Sequence, residues 1–341
     1  MPGTENHDIQ GVLMEEQVVP VPSSISIEAQ AMLRAAVGDD GRPLNALYLS
    51  PGPDDHDAWR KMQAAADAHY AEQVKGLAGE VRANVETLAI GTATVHVATP
   101  RDLYHDDCVY IDLHGGALVF GGGEACRLGA QIQADQHGMV CYAIDYRMPP
   151  DHPFPAALDD CISAYRRAID IYGANRVVIG GRSAGGNLAM ATLLRARDEG
   201  LPMPAAAVLL SPEVDLTESG ESFRTNRLLD VVLPTSLMNA NLLYAGGEDL
   251  AHPYLSPLFG ELSADFPPTF LQSGTRDLLL SNTVRLHRGL RQAGVSAELH
   301  IFEAMPHGGF GGTTPEDIDL KREIVDFVRR QLSPPAGRTE D

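Results

Sequence analysis

The chain has 341 residues, 44% hydrophobic and 21% charged, so it can bury a sizeable core and is not wholly disordered. A formal net charge of -20 argues against nucleic acid or an anionic membrane surface as a partner. No apolar run reaches the roughly 18 residues that cross a bilayer, and no secretory signal opens the chain, so we expect a soluble cytoplasmic protein. The four cysteines form no C-x-x-C pair and are interpreted as structural thiols. A homodimer is left open.

Two helical stretches come before the first strand-like segment. The first begins in the serine-rich run 23–26 and extends to residue 37, and the second covers about 54–77. Because both precede the predicted sheet, we expect them to pack over the core as part of a lid. Residues 1–80 are therefore assigned to an N-terminal cap segment.

From residue 81 onward, apolar runs of strand character alternate with amphipathic helical runs. This alternation predicts βαβ units and a mostly parallel eight-stranded sheet flanked by helices, which is an α/β fold. The predicted strands are 81–88, 93–98, 108–113, 139–146, 176–180, 205–211, 269–274 and 297–302. The predicted helices are 124–137, 155–172, 184–199, 281–293 and 315–332.

One long interruption separates two of the predicted strands, between about residues 217 and 266. Pro, Gly, Asn and Asp are interleaved there with a short apolar helix at 233–244. An excursion of this length predicts an inserted functional element, so 217–266 is assigned to a second cap segment. The catalytic core then comprises 81–216 and 267–335, and 336–341 is expected to be a disordered tail.

The sequence around Ser183 predicts a nucleophile. A short apolar strand turns directly into an alanine-rich helix, and the turn carries G-x-S-x-G at Gly181, Ser183 and Gly185. In such a turn the serine backbone is strained, and the residues two before and two after must be small. A dinucleotide-binding loop fails because G-x-G-x-x-G lacks its middle glycine, and no G-K-[ST] follows for a P-loop. A plain tight turn is the remaining alternative.

Donors for the oxyanion of an acyl transfer are predicted at Gly115 and Gly116. They lie in an H-G-G turn after the third strand, where glycines let successive amides point into a site. The amide of Ala184, at the start of the helix after Ser183, is the third predicted donor, and the helix dipole favours an anion there. The alternative is a flexible glycine loop with a buried His114.

A serine hydroxyl needs a positioned base, and histidine is the usual one because its pKa lies near the operating pH. Among the 12 histidines, His307 stands in the loop between the last strand and the last helix. His114 is better explained by the oxyanion loop, and His152 by the turn-rich sequence around it. We therefore predict His307 as the base.

The base requires a carboxylate that holds its tautomer and stabilises the imidazolium. Asp277 ends the penultimate strand and is preferred to Glu303, which sits on the last strand before the histidine loop. The resulting chain order of Ser183, Asp277 and His307 is the nucleophile, acid and base order of the α/β-hydrolase fold.

With these residues in place, the chain resembles the bacterial hormone-sensitive lipase family of esterases over roughly residues 80–335. Five blocks carry the resemblance in order: the H-G-G turn, the stretch 146–160, the S-A-G-G-N elbow, and the stretches 211–216 and 254–258. The resemblance implies an α/β-hydrolase fold with a helical cap, short to medium acyl chains, and neither cofactor nor metal. The stretch 146–160 is interpreted as architectural.

Three residues depart from the family pattern. Ala117 stands where a third glycine is usual, and Arg182 replaces the Asp or Thr that usually precedes the nucleophile. Leu278 replaces the proline that often follows the acid. These departures leave the subfamily and the substrate more open than the triad.

We therefore expect a two-step acyl transfer on a small-molecule ester, with an acyl-enzyme on Ser183. Two alternatives stay open. The same triad would serve a lactone, amide or carbamate hydrolase. The plant gibberellin receptor also resembles this family and binds its hormone without catalysis, having lost the histidine, so the presence of His307 favours an enzyme over a receptor.

Overall fold

The protein is described from a computed structural model that covers residues 18–47, 49–78, 81–233 and 235–332. The predicted tail, 336–341, and the first 17 residues of the predicted N-terminal cap segment lie outside these ranges. Within them, none of the helices has the length and apolar character required to cross a membrane.

One sheet of eight strands organises the chain, in the order β1-β2-β4-β3-β5-β6-β7-β8. Strand β2 pairs antiparallel with β1 and β4, and the other neighbours pair parallel. This confirms the predicted mostly parallel sheet. The strands are β1 Asn84–Ile90, β2 Ala93–Thr99, β3 His105–Leu113, β4 Met139–Asp145, β5 Val177–Arg182, β6 Ala206–Leu210, β7 Thr269–Gly274 and β8 Ala297–Phe302.

Helices cover both faces of this sheet. Side chains of α4, α5 and α8 share one buried cluster, and side chains of α3 and α9 share another on the opposite face. The α-helices of the described residues are α1 Ile27–Ala35, α2 His56–Ala78, α3 Glu124–His137, α4 Ala156–Tyr172, α5 Ala184–Asp198, α6 Ser222–Thr225, α7 Met238–Ala245, α8 Leu280–Gln292 and α9 Pro315–Leu332.

Three predicted boundaries are wrong by three residues or more. Strand β3 starts at His105 rather than at residue 108. The other two are explained by side chains that bind the backbone. Strand β1 starts at Asn84 rather than at residue 81, since Asp135 accepts the amides of residues 82 and 83 at 2.8 and 3.3 Å. Helix α7 starts at Met238 rather than at 233. Glu218 accepts hydrogen bonds from the Leu237 amide and the Ser236 hydroxyl just before it, at 2.6 and 2.7 Å.

The predicted cap segments contact each other and the loop after β3. Trp59 of α2 is fully buried against Val119, which lies in that loop, and against Leu243 of α7. Helix α1 packs instead near the loop after β8, where Leu33 shares a cluster with Met305. Both segments thus reach the end of the sheet that carries the predicted site. The assignment of 1–80 and 217–266 as caps stays a prediction.

Candidate active site

Ser183 occupies a strained turn between β5 and α5. Its backbone has φ 56° and ψ -120°, a left-handed conformation that is costly for a residue with a side chain. A Cβ added at Gly185 would lie 1.8 Å from the carbonyl oxygen of Leu113, and one added at Gly181 would lie 2.3 Å from the backbone of Gly185. Neither position admits a side chain, so the two glycines are a steric requirement of the turn.

The loop after β3 passes directly beside this serine. A Cβ added at Gly115 would lie 3.5 Å from the Cβ of Ser183. Gly116 has φ 127°, and its carbonyl accepts the amides of Val119 and Phe120, which closes the turn. The amides of Gly115, Gly116 and Ala184 donate to no other described residue. The three amides predicted to form the oxyanion hole are therefore free to bind an anion.

Ala117, which departs from the family pattern, has a strained backbone in this loop. Ala117 has φ 53°, and the next residue, Leu118, has φ 62°. Glycine adopts such angles freely, whereas a residue with a Cβ pays of order 1–2 kcal/mol. Ala117 therefore occupies a conformation that suits the glycine usual at that position.

Side chains from two distant segments hold the loop. Tyr146 donates to the His114 carbonyl at 2.8 Å and stacks on its ring at 4.0 Å between centroids. Gln63 of α2 donates to the Val119 carbonyl at 2.6 Å, and Asp67, one turn later, accepts the Gly121 amide at 2.6 Å. Sequence reasoning missed Gln63 and Asp67, because polar residues on an amphipathic helix look like a solvated face.

His307 and Asp277 form a buried hydrogen-bonded pair. His307 Nδ1 lies 3.1 Å from Asp277 Oδ1, and because a carboxylate only accepts, Nδ1 carries the proton. The Nε2 atom is then the free base. Burial alone would raise the pKa of Asp277, but the charge of His307 and hydrogen bonds from His307 and Ser273 outweigh it and hold that pKa below its usual value. The rival carboxylate Glu303 is exposed, and so is His152.

A second buried carboxylate, Asp230, joins the acid loop to the base loop. It accepts the backbone amides of Leu278 and His307, at 2.8 and 3.2 Å. A proline at 278 would have no N–H to donate, so Leu278, which departs from the family pattern, is matched by this acceptor. Burial and the charge of Asp277 raise the pKa of Asp230, although its partner His307 and the amides oppose the shift.

Asn226 lies one helical turn before Asp230 in the chain and holds the acid loop from the same side. Its side-chain amide donates to the carbonyls of Thr275 and Asp277 at 3.2 and 2.8 Å. Both residues belong to the predicted insertion 217–266, and sequence reasoning missed them. The one sequence signal for these two residues is that Asn226 and Asp230 are four positions apart, with apolar residues between them.

Arg182, which also departs from the family pattern, connects the nucleophile to the base loop. Its guanidinium donates to the carbonyl of Gly308, so the residue before the serine is bonded to the residue after the histidine. Burial lowers its pKa, which the charges of Asp317, Asp112 and Asp277 oppose. A guanidinium keeps its charge in proteins, so a half-buried cation lies against the base loop.

Known esterases and hydrolases are similar to this chain over more than half of its length. A family model described as alpha/beta hydrolase fold matches residues 110–310. The chain is 33% identical to an acetyl-hydrolase of Streptomyces hygroscopicus over 225 residues, which cover 65% of this chain and 74% of that one. It is 32% identical to an esterase of Acinetobacter venetianus over 222 residues, covering 63% of this chain and 73% of that one.

Solved structures of esterases share the whole architecture. The crystal structure of esterase E25 superposes with a TM-score of 0.87 at 34% identity and covers 95% of this chain and 99% of its own. An esterase from the bacterial hormone-sensitive lipase family superposes with a TM-score of 0.72 at 30% identity, over 90% of this chain and 99% of its own. The chain thus belongs to the alpha/beta hydrolase fold and, within it, to the hormone-sensitive lipase family.

Proposed function

We propose that this protein is a serine carboxylesterase that hydrolyses esters of short to medium acyl chains through an acyl-enzyme on Ser183. The observation that carries the proposal is the buried His307–Asp277 pair on loops tied to the strained turn of Ser183. The esterase and acetyl-hydrolase relatives support ester hydrolysis as the reaction.

The first step forms the acyl-enzyme. His307 Nε2 takes the proton of Ser183 Oγ as the oxygen attacks the ester carbonyl carbon, and Asp277 stabilises the imidazolium. The carbonyl oxygen becomes an oxyanion and accepts hydrogen bonds from the free amides of the oxyanion loop and of Ala184. When the bond to the alkoxy oxygen breaks, His307 returns its proton and the alcohol leaves.

The second step releases the acid. A water molecule gives its proton to His307 Nε2 and attacks the acyl carbon, and the bond to Ser183 Oγ breaks. The proton then returns to Oγ, so the net reaction consumes one ester and one water and forms an alcohol and a carboxylic acid. In this proposal the segments 1–80 and 217–266 cap the site, and Trp59 against Leu243 joins the two.

The experiment combines active-site labelling with graded substrates. A fluorophosphonate probe is expected to add once per chain, on Ser183, and p-nitrophenyl acetate to octanoate is expected to turn over faster than longer esters. Ser183→Ala should abolish both labelling and turnover. Ser163→Ala is the matched control, because its hydroxyl donates to Asp159 within α4, away from the site.

Three results would contradict different parts of the proposed function. Full activity in folded Ser183→Ala would refute the acyl-enzyme, and the absence of an adduct in folded wild-type protein would favour a non-catalytic receptor. Faster turnover of lactones, anilides or carbamates than of esters would leave the triad in place but change the substrate class.

A further inference from the structure

Two histidines, a cysteine and an aspartate meet next to the oxyanion loop, outside the proposed triad. Ligand atoms of His114, Cys126 and Asp145 lie within 4.8 Å of one another, and His96 Nε2 lies 3.5 Å from Asp145 Oδ2. These residues come from four elements: β2, the end of β3, α3 and the end of β4. We propose that they bind one divalent cation of the zinc type, with His96 as the fourth ligand.

Two ring nitrogens of this cluster lack a hydrogen bond. His96 Nε2 and His114 Nε2 make no hydrogen bond in the part of the chain that the structure describes, although His96 is only 6% exposed. Leaving such a buried polar atom unpaired is unfavourable, because it has lost its hydrogen bonds to water without replacing them. A metal ion would accept the lone pair of His114 Nε2, and also that of His96 Nε2 in the tautomer in which His96 Nδ1 donates to the Thr87 hydroxyl.

The second nitrogen of each ring is already engaged. His114 Nδ1 lies 2.9 Å from the carbonyl oxygen of Gly115, which can only accept, so Nδ1 carries the proton and Nε2 keeps its lone pair. His96 Nδ1 lies 2.9 Å from the hydroxyl of Thr87, which orients that ring. Metal-binding histidines are typically fixed through their other nitrogen in this way.

The donor set suits zinc in type and spacing. Imidazole nitrogen, thiolate and carboxylate are its ordinary ligands, and four of them complete a tetrahedron. Bond lengths of about 2.0–2.3 Å place neighbouring ligand atoms roughly 3.3–3.8 Å apart, so His114, Cys126 and Asp145 need a contraction of about 1 Å. His96 lies outside that group of three, beside Asp145, and its ring must turn toward the ion to become the fourth ligand. The bond to Cys126 replaces the S–H bond, and the thiol proton is released to the buffer.

A cation has an acidic path to this cluster. An open cavity of about 450 Å³ reaches Asp145 and is also lined by Asp67, Glu124 and Asp151. Carboxylates of one sign along a cleft concentrate counter-ions near its floor. The path and the cluster together satisfy the requirement that a metal site be reachable from solvent.

The test titrates untagged, chelator-treated protein with Zn²⁺ against a chromophoric chelator, and with Co²⁺ as a spectroscopic probe. One ion per chain is expected, with thiolate-to-Co²⁺ charge-transfer absorption in the near ultraviolet. Cys126→Ser should abolish that absorption and weaken Zn²⁺ binding at least 10-fold, since even outer-shell changes cost about 10 to 100-fold. Cys161→Ser, another buried cysteine, is the matched control and should bind as wild type does.

A second variant keeps the test decisive if Cys126→Ser does not fold. His96→Gln should weaken Zn²⁺ binding at least 10-fold while preserving the thiolate absorption, because the cysteine remains. Equal affinity in wild type and in either folded variant would overturn the site, as would wild-type protein that binds no Zn²⁺. None of these measurements uses ester turnover, so they are independent of the proposed function.

Discussion

Glu213 is a buried acid whose ionisation should oppose folding. It follows β6, is 0% exposed, and its amide donates to the Ser183 carbonyl at 3.1 Å, directly behind the proposed nucleophile. Burial, aided by the negative charge of Glu218, raises the pKa of Glu213 to about 8. At neutral pH the side chain is therefore a neutral acid, and glutamine is its nearest uncharged equivalent. We predict that Glu213→Gln removes a pH dependence from the stability of the fold.

The direction and size of this pH dependence follow from the pKa values of Glu213 in the unfolded and folded chain. Between pH 4.5, the ordinary value, and about 8, the folded protein holds a proton that the unfolded chain has lost. The stabilising contribution is complete below 4.5 and is lost as the pH rises through 8. From pH 6 to pH 9 the wild type should lose about 3 kcal/mol through this group, at about 1.4 kcal/mol per pH unit up to 8. Glutamine has no proton to lose.

The assay is urea unfolding at pH 6, 7, 8 and 9 for wild type and for two variants. From pH 6 to pH 9, the free energy of unfolding of Glu213→Gln relative to wild type should rise by about 3 kcal/mol. Glu248→Gln makes the same chemical change at an exposed position and should follow wild type at every pH. A difference between Glu213→Gln and wild type that stays constant with pH would refute the reasoning.

Three further substitutions test the geometry of the site. Asp277→Asn should lower kcat by about 10⁴-fold in a p-nitrophenyl ester assay, because the wrong histidine tautomer is then favoured. One carboxylate oxygen of Asp230 accepts the amides of Leu278 and His307, and the other accepts those of Val232 and Leu233. In either orientation, Asp230→Asn therefore turns its NH₂ group toward backbone N–H groups. It should cost about 1–3 kcal/mol in urea unfolding and lower kcat by up to about 100-fold with little change in KM. Gly185→Ala should give no soluble folded protein, since its Cβ would lie 1.8 Å from the Leu113 carbonyl oxygen, whereas Gly52→Ala meets nothing within 4 Å and should express normally.

The elements and the proposed nucleophile could be predicted because their causes are local. Alternating apolar runs determine strands wherever the chain folds, and the turn at Ser183 needs small residues at Gly181 and Gly185, which stand two positions away in the sequence. The pairing of Asp277 with His307 was predictable for a related reason. Loops after parallel strands meet at the same edge of a sheet, and chain order then identifies the partners.

The supports of the site could not be predicted because their partners lie far away in sequence. Asp230 is 48 residues from Leu278 and 77 from His307, and Gln63 is 56 residues from the carbonyl it binds. A polar side chain shows the same pattern in the sequence whether it faces water or a buried amide. The start of α7 was mispredicted for the same reason, since Glu218 accepts a hydrogen bond from Ser236, 18 residues further along the chain.

Arg182 is the departure whose effect on rate the structure makes testable. It is a half-buried cation with one strong contact, the Gly308 carbonyl, and it shares a cavity of about 180 Å³ with Asp112. Burial raises the pKa of Asp112 to about 7 even with the opposing charge of Arg182 nearby. Without that charge, the pKa of Asp112 should rise further, so that the carboxyl would be neutral at pH 7.

We therefore predict that Arg182→Thr, which introduces a residue usual in the family, impairs this protein. The Gly308 carbonyl loses its donor and the loop of His307 loses its tie to the turn of Ser183, so kcat should fall by about 10 to 100-fold with KM little changed. Stability should fall by about 1.5–3 kcal/mol, the usual contribution of a hydrogen bond to a charged group. Arg182→Lys keeps the positive charge but lacks the planar guanidinium, so its kcat and its stability should lie between those of wild type and of Arg182→Thr. Unchanged kcat in folded Arg182→Thr would mean that the turn and the base loop are positioned without this bond, and that the substitution at this position is neutral for the chemistry.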